Sequence, residues 1–534
     1  MFDTAQSPSW YRSTKTLLLA SLSIAVVAAS ALYLFSGSRF SSNKDEAHYA
    51  ELERHRAEQQ RKAPSEAIAA PVGTGQIMEA SVANSPEQAT APAPNSAEQN
   101  SVLVSNEQKA EGGNTNSGKT ADQTQAGQAQ VIAEAQTAEK KTPAAKPARN
   151  YWTNFRGPSR DGRYDETAVL TKWPSGGPPL LWRQPIGGGY ASFVVADGTA
   201  FTIEQRRSQE TVAAYNLETG RELWTNSWNA EFVESMGGDG PRTTPTWDAG
   251  RLYALGAKGE LRCLDAKTGK PLWTRNILTD NGAQNLQWGM SASPLVVDDK
   301  VIVLPGGTSG KSVVAYNKLT GAPLWKSLND RQAYTSPMLV TLGGKRQVMI
   351  VTASRVVGLA PEDGSLLWSY PWDTQMGINI SQPIVVDRTR FFISAGYGKG
   401  AALVAVNGTG NSFTAEKVWE NTSMKNKFNS SVLHNGHIYG LDEGILTCIE
   451  VETGQRKWKG GRYGYGQVLL ASNHLIVTTD TGELVLVKAD PSKHEELTRF
   501  PVLEGRTWNV PALASGRLLM RNATQMACFN LSTL

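Results

Sequence analysis

The stretch AAYNLETGRELW (Ala213 to Trp224) is rewritten along the chain as CLDAKTGKPLW (Cys263 to Trp273), VAYNKLTGAPLW (Val314 to Trp325) and CIEVETGQRKW (Cys448 to Trp458). Weaker copies are GLAPEDGSLLW (Gly358 to Trp368) and the expanded VAVNGTGNSFTAEKVW (Val404 to Trp419). Repeats at roughly 40–50 residues, each holding several short strands, predict one closed all-β propeller and not a string of independent domains.

The chemistry of the phrase explains its spacing. Side chains alternate along a strand, so Ala214 and Asn216 share one face and Tyr215 takes the other. Asn216, Asp265 and Asn317 fall where that strand ends, and a short Asx side chain there accepts hydrogen bonds from turn amides. The glycine of each following Thr-Gly pair supplies the positive φ that a tight hairpin needs. Four residues on, a tryptophan reaches the outer strand, where its flat ring can wedge against the next blade. Trp182, Trp224, Trp273, Trp325, Trp368, Trp419 and Trp458 are the expected docking anchors, and spacing makes Leu497 an eighth.

Inner strands are expected near Ala214, Cys263, Ala315, Gly358, Val404, Cys448, Val487 and Cys528. The last phrase, QMACFNLSTL, stops before any outer strand, whereas Trp182 in PLLWRQP has no inner strand before it. Pairing these two closes the ring with strands from both ends of the propeller and removes exposed sheet edges. Eight blades result; seven would leave one phrase unpaired.

Upstream of the propeller (residues 150–534) the composition changes. Residues 37–149 are rich in Ala, Gln, Glu, Ser, Asn and Pro, too polar to offset the entropy of ordering, and read as a disordered linker. Lys44 to Lys62 within it reads as a charged, solvated helix without a partner. Residues 17–36 form an apolar run of about the length that crosses a bilayer. Arg12 and Lys15 before it place residues 1–16 in the cytoplasm. A signal peptide cleaved after Ala29-Ser30-Ala31 is the competing reading, giving a secreted form, but the apolar run continues through Phe35. The expectation is a single-pass anchor in the inner membrane with the propeller in the periplasm.

A net charge of +4 on 534 residues, with no basic stripe in the propeller, argues against a nucleic-acid partner. Cys263, Cys448 and Cys528 occupy one position in three different blades, which fits small core residues and not disulfides or metal ligands. The glycine-rich Gly396 to Gly400 opens no helix and reads as a blade loop, and Leu441 to Gly444 reads as a polar hairpin turn.

The phrase A-x-D/N-x-x-T-G-x-x-x-W resembles the tryptophan-docking repeat of pyrroloquinoline quinone (PQQ) dehydrogenases and their non-enzymatic relatives, over the whole propeller. NFRGPSRDGRYDE (Asn154 to Glu166) and GPRTTPTWD resemble a bacterial group of PQQ-binding-like propellers. The propeller lipoprotein of the outer-membrane β-barrel assembly machinery is also similar. The resemblance implies a ligand site where the innermost strands begin, at YASF, RTTP, MSAS, YTSP, NISQ, FNSS, YGQV and WNVP. Tyr190, Arg242, Met290, Tyr334, Asn379, Phe428, Tyr465 and Trp508 would then ring a funnel, with Glu234, Asp239, Trp288, Lys427 and Arg506 beside it. For a quinone, Arg242, Lys427 and Arg506 would hold carboxylates, and Trp288 or Trp508 would stack beneath the ring. Asn379 with Glu234 or Asp239 would offer oxygens to Ca²⁺.

The chain departs from the enzymes of the family in having neither an adjacent cysteine pair nor a C-x-x-C-H haem motif, and no catalytic residue can be carried over. The leading expectation is therefore a membrane-anchored, exported binding or scaffold propeller for a protein, peptide or polysaccharide. The alternative is a PQQ- and Ca²⁺-dependent dehydrogenase of an alcohol or sugar.

Overall fold

In the strand Gln209–Asn216 six consecutive residues, Glu210–Tyr215, are buried, and largely buried strands likewise form the middle of the other blades. A computed structural model describes residues 46–61, 151–410 and 412–533. The propeller residues form eight sheets of four antiparallel strands, one of them extended by a short fifth strand. In the first blade these run Val194–Ala196, Thr199–Arg206, Gln209–Asn216 and Glu222–Asn229, from channel to rim. The two middle strands are covered on both faces by neighbouring blades and are buried almost end to end; the rim strand is partly exposed. Ring closure follows the sequence expectation: Leu180–Pro185 pairs with the C-terminal Gln525–Asn530, Trp182 opposite Cys528.

The strand of the repeated phrase lies third from the channel. The innermost strands are shorter and come earlier in each repeat, as at Val194–Ala196, Thr246–Asp248 and Leu295–Val297. The hairpin chemistry is as read: Asn216 Oδ1 accepts the amides of Glu218 and Thr219 at 3.1 and 2.9 Å, and Asp265 accepts that of Thr268 at 2.8 Å.

The glycine that follows meets two demands. Gly220 has φ +71°, and a Cβ there would lie 2.7 Å from the Trp182 ring of the preceding blade. The indole N–H of Trp182 then donates to Leu217 O at 2.9 Å. The same dock recurs for Trp224 on Ala266 O, Trp273 on Lys318 O, Trp325 on Pro361 O, Trp419 on Val451 O and Trp458 on Asp490 O. Trp368 departs from it: its N–H goes to Gln347 Oε1 of its own blade, and its ring stacks on Phe391 at 5.5 Å. The next blade carries the long hairpin Gly400–Thr409 and Ser412–Asn421, so no Thr-Gly turn stands at docking height. Leu497 is no anchor either. The register places Thr498 opposite Leu486 as Trp224 stands opposite Ala214, and Leu497 is exposed.

Cys263, Cys448 and Cys528 are free and buried in separate blades. Asp442 of the polar hairpin is buried and bound by Lys459 and Lys425.

The expected membrane segment, 17–36, lies outside the described residues, as does the linker apart from residues 46–61. No helix among the described residues is long and apolar enough to cross a membrane. Residues 46–61 do form a helix, but a partnered one. Leu52 is buried, His48 donates to Ile186 O at 2.8 Å, and Gln59 donates to Gln184 at 2.9 Å. Arg56 binds Glu222 at 2.9 Å, and Arg207 binds Glu46 and Glu53. Gln184 belongs to the closing strand and Glu222 to the first blade, so the helix straddles the seam where the ring closes. Glu46, Glu53 and Arg56, which read as part of a solvated face, dock on the propeller instead.

Glu210 carries a pH dependence. Burial, offset in part by the Ala257 amide 2.7 Å from Oε1, raises its carboxyl from 4.5 to about 7. The folded state then holds a proton that the unfolded chain gives up at lower pH. Stability is therefore greatest below about 4.5 as far as this group is concerned, and falls as pH rises to about 7. Glu210→Gln is expected to flatten that limb of a melting-temperature profile; an unchanged slope between pH ~4.5 and ~7 would refute the assignment.

Candidate functional site: an aromatic funnel above a plugged channel

The innermost strands start at one end of the channel, and the loops before them deliver the side chains of that face. Tyr190, Arg242, Trp288, Tyr334, Phe428 and Trp508 line a cavity of about 490 Å³, together with Met236, Met376, Ile378, Ile380 and Tyr397. Trp508 organises one wall: Phe428 lies 5.0 Å from it, Tyr190 5.9 Å and Tyr465 6.3 Å between ring centroids. Trp288 and Tyr334, 5.8 Å apart, form another wall. Offset and edge contacts of this kind hold the rings rigidly before any ligand arrives.

Cations pack on these rings and their neighbours. Arg506 sits 4.6 Å over Trp508, and Lys427 lies 4.9 Å from Tyr465 and 5.1 Å from Tyr397. Arg242 stacks on Phe232 at 4.5 Å while its N–H groups donate to Gly238 O and Gly240 O. Burial pushes its guanidinium down from the usual value, and Tyr190, Glu234 and Asp239 offset this in part. Neither Lys427 nor Arg506 pairs with a carboxylate among the described residues.

The floor comes from the segment before the propeller. Phe155 lines the cavity, and below it Arg160 is fully buried in the channel. Its guanidinium donates to Ser293 O at 3.2 Å, Pro337 O at 2.9 Å, Thr246 Oγ1 at 3.3 Å and Pro294 O, which ties three blades together. Arg156, also buried, reaches Ser431 O of a fourth blade at 3.1 Å. Burial pushes Arg160 down to about 9 and Arg156 to about 10, so both stay charged at neutral pH. Residues 154–164, matched in sequence only as a family-like stretch, are a plug.

The plug, Met236, Met376, Tyr397 and the two isoleucines were not legible as site residues. Only Tyr397, inside its glycine-rich loop, carried a signal in the form of an aromatic at a turn. Several expected residues fall elsewhere. Met290 is packed in the core, and Asn379 is buried, its amide nitrogen donating to Thr352 O at 2.9 Å and Trp372 O at 3.3 Å and its Oδ1 enclosed without a partner. Lys427, Arg506 and Tyr465 stand behind the lining rings.

The donor set does not fit a calcium-held quinone. Asn379 is turned into the blade, Glu234 receives the amides of Met236 and Gly237, and Asp239 receives that of Glu234. No group of three or more His, Cys, Asp or Glu able to hold a metal occurs among the described residues.

Comparison with known proteins agrees with the propeller fold. The family described as outer membrane protein assembly factor BamB matches residues 208–460. BamB of Yersinia pestis is 22% identical over 50% of this chain and 68% of its own length. Quinoprotein ethanol dehydrogenase of Pseudomonas aeruginosa is 30% identical, but over only 28% of this chain and 25% of its own length. The crystal structure of quinohemoprotein alcohol dehydrogenase from Comamonas testosteroni superposes with a TM-score of 0.51 at 14% identity, covering 72% of this chain and 81% of that one, and so shares the fold. The docking repeat and the eight-bladed ring make the chain a PQQ-like β-propeller, similar in sequence both to BamB and to the quinoprotein alcohol dehydrogenases.

Proposed function

We propose that this protein is an exported binding propeller, a scaffold whose funnel takes apolar side chains of a protein partner. The observation that carries the reading is the aromatic and methionine lining of the funnel with cations packed on its rings. Apolar walls desolvate an inserted side chain, and cations beyond them attract an acidic flank. Exposed Val233 and Met236 on one loop and Met376 on another extend the apolar surface over the lip. BamB, by name an assembly factor for outer membrane proteins, is a relative of matching character. A polysaccharide is the weaker fit, because the carboxylates that would read hydroxyl groups, Glu234 and Asp239, are engaged by backbone amides. Residues 17–36 serve in this reading as the inner-membrane anchor, with the propeller in the periplasm.

The test uses the full chain recovered from the membrane fraction, a recovery that itself checks the anchor. Site-directed crosslinking from the funnel lip is expected to give a protein adduct. Trp508→Ala is expected to weaken capture by about 30-fold or more, the effect of truncating a central aromatic anchor. Undiminished capture would overturn the assignment of the face. Saturable binding of PQQ with Ca²⁺, giving a quinone absorption band, would instead support the dehydrogenase reading.

A further inference from the structure

The helix of residues 46–61 lies on the seam in a defined direction. The innermost strand of the first blade, Val194–Ala196, starts at the funnel end. Antiparallel alternation therefore puts the turn at Arg207 at that end, and the turn from Leu217 to Gly220 at the other. The first helical turn meets funnel-end groups. Glu46 pairs with Arg207, His48 bonds Ile186 O at 2.8 Å, and the Tyr49 hydroxyl donates to Gln205 O at 3.4 Å. Ile186 leads into Tyr190 of the funnel wall. The last turn meets groups farther from the funnel: Gln59 donates to Gln184 at 2.9 Å and accepts the amide of Glu222, beside the far turn, at 3.2 Å. The contact reaches into the core. Leu52 is buried, and Arg56 extends a chain of ion pairs that starts at the buried Glu204 and passes through Arg206 and Glu222. Arg206 and Arg56 stand 2.7 and 2.9 Å from the Glu222 carboxylate, and its closure by the helix favours the docked state.

We propose that the docked helix is a short leash that turns the funnel toward the inner membrane, an inference that rests on reading residues 17–36 as the anchor. Only residues 37–45 separate that anchor from the helix, and a segment of that length spans at most roughly 30–35 Å. It joins the helix at the funnel end. With the helix undocked, all of residues 37–149 would serve as the tether, with an average reach of roughly 60 Å and no preferred face. With the helix docked, residues 62–149 connect two points of the propeller and carry no tethering role. The funnel mouth then stands close to the bilayer and faces it. Its partner is accordingly a protein segment held at the membrane surface, the exposed part of a membrane-embedded protein.

Energy transfer to the bilayer tests the orientation. The full chain is placed in lipid nanodiscs whose headgroups carry an acceptor dye. A donor dye is attached through Met236→Cys at the funnel lip or through Lys267→Cys at the opposite end. Both positions are exposed, and the three native cysteines are buried. Transfer is expected to be about threefold stronger from the lip, because an eight-residue strand separates the two ends by roughly 26 Å. Leu52→Glu and Arg56→Glu act on the helix and not on the ring, and each should bring the two signals within a factor of about 1.5 as the tether lengthens. Equal transfer from both ends of the disc-bound wild type, or stronger transfer from Lys267→Cys, would overturn the leash and leave the anchor standing. An asymmetry that survives in both helix variants would also overturn it. A chain that fails to stay with the discs would overturn the anchor and the leash together. In cells, the crosslink from the lip is expected to join a protein that alkaline carbonate does not strip from the membrane; a strippable one would overturn the class of partner.

Discussion

Arg160→Ala is expected to destabilise the propeller by about 3–5 kcal/mol, read as a lower denaturant midpoint. Two effects oppose each other. Removing an unpaired buried cation relieves a desolvation cost, already visible in the lowering of its pKa to about 9. Removing the guanidinium also strands Ser293 O, Pro294 O, Pro337 O and Thr246 Oγ1 inside a plugged channel. Each stranded group costs on the order of 1–3 kcal/mol, and several of them outweigh the single relief. Arg160→Lys, which keeps the charge but loses the planar fork, should fall between wild type and alanine. Hydrogen exchange should rise first in residues 151–164, because those residues lose their tie to three blades. A change below about 1 kcal/mol would show that the plug is incidental to the ring.

Trp325→Ala is expected to cost a similar ~3–5 kcal/mol, the usual range for deleting a buried large aromatic. Its ring is 9% exposed and packs where a Cβ on Gly364 would come within 2.6 Å, and its N–H holds Pro361 O at 3.1 Å. Trp325→Phe should retain most of the packing and lose about 1 kcal/mol for the hydrogen bond. The two variants together separate ring burial from the N–H bond. If alanine and phenylalanine proved equally damaging, the hydrogen bond and not the ring would be the staple between blades.

These two residues mark the boundary of what could be read in advance. Trp325 and its glycine stand in a phrase whose every part acts locally or on the adjacent blade, so repetition alone exposes their role. Arg160 acts on acceptors 86 to 177 positions away in sequence, and no local pattern encodes that reach. The same holds for the helix of residues 46–61, whose Arg56 and Gln59 meet residues more than a hundred positions distant. Trp368 and Thr498 show the opposite failure: spacing assigned a dock to Trp368 and to Leu497, whereas an enlarged hairpin and a one-residue register difference decided otherwise.

At the funnel, the starts of the innermost strands were legible as a set of eight tetrapeptides, but not the direction of each side chain within them. Asn379 and Met290 point into the blades, while Tyr190, Tyr334, Phe428 and Trp508 point into the cavity. The innermost strands are short, and the loops before them lack the strict alternation that assigns a face to each residue of a longer strand. The sequence by itself determined the blade, its turn, the number of blades and the closure, because these depend on strand period, Asx and glycine turn chemistry and a repeat that must pair its ends. Only the tertiary structure decided what the ring encloses: an aromatic funnel and an arginine plug beneath it. Those features arise where residues from different blades and from the preceding segment converge, and convergence is a property of the closed ring that no single repeat contains.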